Sequence, residues 1–202
     1  MALNNIEGDQ CPGNDMTSPL QRSVEEIIGA QEIETLLDRI AADIYRDLSD
    51  MPNLSLVGIR RRGDVLARRI QTRLGHLLGA EPPCGALDIT LYRDDFDSLA
   101  EHPVVGDTHV PFSVNESTVI LVDDVLYTGR TVRAALDELL DLGRPTRIAL
   151  AVLIDRGWRE LPIAADFVGR VVPTELEDDV QVLMSETDGR DSVSLIRDMN
   201  DS

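Results

Sequence analysis

An α/β fold, with a mostly parallel sheet and helices on both of its faces, is what this sequence predicts from three observations. Short apolar runs closed by turn residues alternate with stretches whose apolar residues recur every three or four positions. The hydrophobic share, 43% of 202 residues, suffices for a sizeable core in one domain. Three polar strings (60–63, 123–131 and 155–157) each follow an apolar run. In open α/β sheets, ligands sit beyond the carboxyl ends of the strands.

Taken in order, residues 1–22 mix Asn, Gly, Pro, Asp and Ser and read as a disordered leader, with the folded domain spanning 23–202. Ile33, Leu36, Leu37, Ile40, Ile44 and Leu48 fall at helical spacing, so about 25–48 is an amphipathic helix. Its outer face is acidic, with Glu32, Glu34, Asp38, Asp43 and Asp47. A buried strand at 54–59 ends in the charged turn Arg60-Arg61-Arg62-Gly63. A second helix follows, with Val65, Leu66, Ile70, Leu74 and Leu77 inward. Residues 86–92 read as the next strand. The stretch 93–116 has few periodic apolar positions and reads as a long loop, which in a compact domain is usually functional. A strongly apolar strand at 119–122 leads into a helix from about 130 to 142, stopped by Gly143 with Pro145 just beyond. Further strands are expected at 147–154, 165–168, 180–184 and 193–196.

Charge narrows the chemistry. All 19 basic residues are Arg, against 37 acids, for a formal charge of −18. Without Lys there is no Schiff-base lysine and no phosphate loop ending Gly-Lys-Ser/Thr, so a positive side chain on phosphate must be Arg, whose planar fork suits phosphate oxygens. The acidic balance disfavours non-specific binding to nucleic acid or anionic lipid. Aromatics, at 3%, are too few for a stacking platform. Cys11 and Cys84 give neither a disulfide framework nor zinc spacing, and His76, His102 and His109 are scattered. With no membrane-length apolar run and no basic n-region, a cytoplasmic protein is expected.

The sharpest string is Val119-Ile-Leu-Val-Asp-Asp-Val-Leu-Tyr-Thr-Gly-Arg-Thr131. An apolar strand delivers adjacent carboxylates, Asp123 and Asp124, to the sheet's top edge. A loop through Thr128, Gly129, Arg130 and Thr131 then opens a helix. Backbone N–H groups at a helix N-terminus bind phosphate, and Gly permits close approach. Acids followed by such a cradle suit a ligand carrying hydroxyls near a phosphate, as a sugar phosphate does.

That string resembles the phosphoribosyl-diphosphate signature of type I phosphoribosyltransferases. With Leu56-Val-Gly-Ile-Arg-Arg-Arg-Gly63, Asp88-Ile-Thr-Leu-Tyr-Arg-Asp-Asp95, Gly143-Arg-Pro145 and Asp155-Arg-Gly-Trp-Arg-Glu-Leu-Pro162, it resembles one subfamily over roughly 24–197. This is the bifunctional pyrimidine operon attenuator/uracil phosphoribosyltransferase subfamily. The resemblance implies a type I phosphoribosyltransferase fold, with a small hood built mainly from about 155–200. It implies the reaction uracil + phosphoribosyl diphosphate → UMP + diphosphate, with Mg²⁺ held mainly through the diphosphate and no protein ligand assigned to the metal.

On the same ground Asp123 and Asp124 lie against the ribose hydroxyls. Val125, Leu126, Tyr127, Thr128, Gly129, Arg130 and Thr131 hold the 5′-phosphate, and Arg61, Arg62 and Gly63 the diphosphate. Arg93 sits on a closing loop and joins the two aspartates as catalytic, while Arg156 and the segment around Val180 lie beside the base. Diphosphate departure leaves positive charge on the anomeric carbon, which carboxylates stabilise, and no covalent nucleophile is needed. Homodimers or higher homo-oligomers are usual in the family.

The family's second role is UMP-dependent binding of leader mRNA, and a non-catalytic phosphoribosyl-diphosphate sensor is a third reading. RNA-binding members carry basic and polar residues on the first helix. Here Asp38, Ala42 and Asp47 stand there, Ala164 replaces an Arg and Trp158 a His. Arg39, Arg159 and Arg170 remain, with Arg68, Arg69 and Arg73 on the second helix. Like charges facing RNA cost affinity, so catalysis is expected to be retained and RNA attenuation weakened or lost.

Overall fold

The computed structural model describes residues 22–89 and 108–198. The elements are β1 (Arg22–Gly29), α1 (Ala30–Leu48), β2 (Leu54–Ile59), α2 (Gly63–Leu78), β3 (Cys84–Leu87), β4 (Thr118–Leu126), α3 (Arg130–Leu142), β5 (Arg147–Asp155), β6 (Phe167–Val171), β7 (Asp179–Leu183), α4 (Ser185–Asp188) and β8 (Ser192–Asp198). Among the described residues no helix is long and apolar enough to cross a membrane.

Five strands form a parallel sheet in the order β3-β2-β4-β5-β6. The side chains of β4 alternate between its two faces, as a strand requires. Ile120 and Val122 join Leu37, Ile40 and Ile44 of α1 and Leu66, Ile70 and Leu74 of α2 in one core. Val119 and Leu121 join Val132, Ala135 and Leu139 of α3 in another. Helices therefore cover both faces, and the ends of β2, β4 and β5 carry the three polar strings to one edge.

A second sheet, three-stranded and antiparallel, has the order β1-β8-β7. Its Ile28, Val180, Val182, Val193 and Leu195 bury into the core shared with α1 and α2. It corrects one expectation from the sequence. The first helix starts at Ala30, not near 25, because Arg22–Gly29 is extended and pairs with β8. Glu25 and Glu26 are good helix formers, yet they sit on a strand whose partner lies some 170 residues away. The expected strand at 86–92 also shifts, to Cys84–Leu87, with 90–92 outside the described residues.

Helix α3 keeps its expected span, but its stop has another cause. Gly143 is extended, at φ 163°, and not left-handed. A Cβ there would meet Asn115 Oδ1 and Val114 Cγ2, each at 2.8 Å, so a larger residue would have to push those two side chains aside.

Candidate active site

Two turns build the site's floor. The β2–α2 turn is folded so tightly that two glycines are needed. A Cβ on Gly58 would lie 2.4 Å from both Asp64 Cα and Gly63 O, and one on Gly63 would lie 2.4 Å from Val122 O and 3.2 Å from Asp123 Cα. This sets the N-terminus of α2 directly against the backbone of Val122 and Asp123. The first N–H groups of a helix lack intrahelical partners, so α2 opens a cluster of donors onto the acids' end of β4. Arg60 and Arg61, joined by a cis peptide bond, are exposed, and neither side chain has a hydrogen bond or ion pair among the described residues. Arg62 instead bonds Asp188 of α4 through Nε at 3.1 Å and Nη2 at 3.2 Å.

Asp123 and Asp124 both lie within β4, which runs four residues beyond the apolar stretch that predicted it. Asp123 is 5% exposed, and its Oδ1 accepts the Asp124 backbone N–H at 3.0 Å. Asp124 Oδ1 in turn accepts the Val125 N–H at 2.9 Å. Burial pushes the Asp124 carboxyl above the usual aspartate value, opposed chiefly by the Val125 N–H and then by the Arg62 charge.

The β4–α3 loop owes its shape to bracing from behind. Arg156 N–H donates to Leu126 O at 3.1 Å, Arg159 Nη1 to Tyr127 O at 2.7 Å, and the N–H groups of Glu160 and Leu161 to Thr128 O at 3.0 and 3.1 Å. Gly129 O accepts the Arg133 N–H of α3. Each carbonyl from 126 to 129 is thus held inside the protein. At the start of α3 the Arg130 N–H reaches Thr128 Oγ1 at 3.3 Å, the amides that follow are left for an anion, and Gly129, at φ +92°, makes the left-handed turn that aims them. The space they face is a cavity of about 340 Å³ lined by Asp123, Val125 through Val132 and Glu160.

Of the residues read from the β4–α3 string, Asp123 and Val125 through Thr131 line this one space, while Asp124 is not among its lining residues and faces the Arg62 charge. Arg61, Arg62 and Gly63 form the neighbouring turn. Arg93 lies outside the described residues. Arg156 is 5% exposed, with its guanidinium 4.0 Å from the centre of the Tyr127 ring and hydrogen-bonded to Thr174 Oγ1, Glu175 O and Asp178 O. It fastens the segment before β7 to the phosphate-type loop. The Val180 side chain is buried in the core, but β7 is an outer strand, so half of its backbone groups face away from β8.

Sequence reasoning missed two contributors. Glu160 lines the cavity and pairs with Arg130 at 2.6 Å. Arg159, read as a leftover basic position, is the brace under the loop, and Asp155 holds it at 2.6 Å. The Asp155/Arg159 spacing of four was the signal available in the sequence.

Parallel strands ending in an acid pair and a braced amide cradle, opposite a tight Arg-Gly turn, define a phosphoribosyltransferase. The comparisons agree. Residues 23–181 match the phosphoribosyl transferase domain. Among solved structures, a hypoxanthine phosphoribosyl transferase of Trypanosoma cruzi superposes with a TM-score of 0.66 at 17% identity, over 86% of this chain and 91% of that one. One from Staphylococcus aureus gives 0.60 at 21% identity, over 76% and 79%. At such identities these two speak for the fold alone. The "Bifunctional protein PyrR" of Deinococcus deserti is 54% identical over 84% of this chain and 92% of its own length. That of Pelotomaculum thermopropionicum is 53% identical over 88% and 98%. The chain belongs to the bifunctional PyrR family of phosphoribosyltransferases.

Proposed function

We propose that this chain transfers the 5-phosphoribosyl group from phosphoribosyl diphosphate to uracil, forming UMP and diphosphate. The observation that carries the reading is the juxtaposition at the end of β4. An acid pair is followed by a loop whose carbonyls are all tied back, so that its amides face a 340 Å³ cavity. The amides and the Thr128 and Thr131 hydroxyls hold the 5′-phosphate. Asp123 and Asp124 hold the ribose hydroxyls and stabilise the cationic character that develops at the anomeric carbon as diphosphate leaves. Arg60 and Arg61, with no internal partner among the described residues, and the N-terminus of α2 receive the departing diphosphate. The base lies between the β5 end and the outer edge of β7.

Mg²⁺ usually keeps several waters and binds through one or two carboxylates plus substrate phosphates. The site fits that mode. Asp123 lines the cavity with Asp124 next to it in the chain, and no group of three or more His, Cys, Asp or Glu among the described residues could form a protein cage. Bound there, Mg²⁺ would neutralise charge on the diphosphate.

Leader-RNA binding is weak or absent on this reading, because the basic residues left on the relevant face already have partners. Arg39 donates to Gly169 O, Arg170 pairs with Glu32 at 2.8 Å, Arg159 braces the loop, and Arg46 sits between Asp43 and Asp47. Binding RNA phosphates would require breaking these contacts amid surplus acid. Family-typical dimers and a cytoplasmic location are part of the same proposal.

A panel of bases incubated with phosphoribosyl diphosphate and Mg²⁺ tests the catalytic reading: UMP from uracil is expected, and nucleotide from a purine base but none from uracil would overturn it. Filter binding of leader RNA at fixed salt tests the other. Weak binding unaffected by UMP is expected, whereas tight, UMP-enhanced and salt-sensitive binding would restore the regulator.

A further inference from the structure

We propose that Asp188, on the short helix α4, is a positioning residue for the base subsite, holding the outer strand β7 at a fixed distance from the diphosphate turn. The proposal rests on the functional reading above, in which the base lies against β7. One carboxylate here takes four donors. Its Oδ1 accepts Arg62 Nη2 at 3.2 Å, and its Oδ2 accepts Arg62 Nε at 3.1 Å, the Met184 backbone N–H at 2.9 Å and the Thr187 hydroxyl at 2.8 Å.

The two ends of this clasp belong to different parts of the machinery. Met184 directly follows β7 and is wholly buried, so its backbone moves only with that strand. Arg62 directly precedes Gly63, whose contact with Val122 O fixes the turn against Asp123 and Asp124. Asp188 is thus a single side chain linking the base-facing edge to the acid pair. The Arg62 guanidinium beside it holds its carboxyl down at about 2, so the clasp is ionised wherever the enzyme works.

Docking of the second sheet as a whole does not depend on Asp188. Arg69 of α2 separately binds Ser185 Oγ at 2.9 Å, Glu186 at 2.6 Å and Asp191 at 2.7 Å, above the shared apolar core. Loss of Asp188 should therefore loosen the placement of β7 without detaching the sheet. It also frees the Arg62 cation within the diphosphate turn, so affinity for phosphoribosyl diphosphate has no reason to fall with it.

The test is steady-state kinetics of the full chain carrying Asp188→Asn, alongside Thr187→Val, which removes only the hydroxyl that orients the carboxylate. Small displacements of a bound reactant cost one to two orders of magnitude, so Asp188→Asn should raise the KM for uracil about tenfold and leave that for phosphoribosyl diphosphate within about twofold. Thr187→Val should move the same constant in the same direction by less, and it carries the test should Asp188→Asn not fold. The positioning role is overturned if both KM values rise together, or if the uracil KM stays put in a folded variant. If the wild-type chain uses another base, the uracil reading fails, and the same split is measured with that base.

Discussion

The wall of the site and the sheet that hangs over it are built in opposite ways. The wall is contiguous: β4, its acids, the loop and α3 run unbroken from Thr118 to Leu142. The overhanging sheet collects its strands from Arg22–Gly29, Asp179–Leu183 and Ser192–Asp198. In the wall, and in the β2–α2 turn packed against it, backbone groups and glycine contacts set the geometry, and side-chain charge is concentrated where chemistry is needed. In the overhang, arginine–carboxylate contacts dock one layer onto another. The difference teaches where function and stability separate: wall substitutions should act on turnover or on the packing of the whole domain, and overhang substitutions on docking.

The largest effect is expected in the wall. Asp124→Asn keeps shape and can keep the Val125 contact, but on the proposed mechanism removes a charge that stabilises the developing cation. UMP formation should fall by about 10²-fold or more, in the range found for single electrostatic stabilisers, with no fall in the melting temperature, since burial already disfavours the ionised carboxyl. Near-normal turnover in the folded variant would remove Asp124 from the mechanism. Gly63→Ala should act through the backbone instead. Its Cβ would sit 2.4 Å from Val122 O, and rigid strand and helix backbone must shift to admit it. A loss of about 3 kcal/mol in denaturant unfolding is expected. A loss below about 1 kcal/mol would show that the turn is more pliable than its packing implies.

The same division explains what could be read from the chain alone. The fold class, the span of α3 and the convergence of the three strings were legible because they rest on local periodicity and on turn residues that act in place. The strand at Arg22–Gly29 was not, since Glu25, Glu26, Ile27 and Ile28 suit a helix and its partner is remote in sequence. Pairing of charges was equally hidden. Arg69 and Arg73 read as basic residues remaining on the second helix, yet Arg69 is tied to Glu34, Glu186 and Asp191, and Arg73 to Glu34 and Asp38. Composition counts charges but does not say which of them meet across layers.

Arg69→Ala probes the overhang directly. With side chains of Arg69 and Asp191 each only 13% exposed, removing the cation leaves Asp191 half-enclosed near Glu34 and Glu186. The expected loss is about 2 kcal/mol, below the cost for a fully buried pair because water reaches the rim. Proteolysis should first cut around α4, while the β4–α3 region stays protected. Uniform susceptibility along the chain would mean that the two sheets unfold as one and that the docking contrast is false.

Glu138→Gln asks whether the two regions also respond oppositely to pH. The acids of the overhang are held low by arginine: Asp188 at about 2, with Glu186 and Asp191 also below their usual values. They stabilise the fold above their unfolded values, and that contribution is lost as pH falls through the lowered ones. Glu138 in α3 is the reverse case. It is 7% exposed, bonded to the Thr108 hydroxyl, and its Oε2 has no hydrogen-bond partner among the described residues. Burial, reinforced by Asp88 and Asp141, pushes its carboxyl up. A raised carboxyl costs stability at neutral pH and returns it as pH falls through the raised value. Glutamine fixes the neutral form while keeping an oxygen for Thr108, so the variant should gain about 1 kcal/mol at neutral pH, or roughly 2–4 °C in melting temperature. That gain should vanish near the ordinary glutamate range, where the wild type is itself protonated. An offset of the same size at both pH values would locate the effect in packing, and the wall would then share the overhang's acid response.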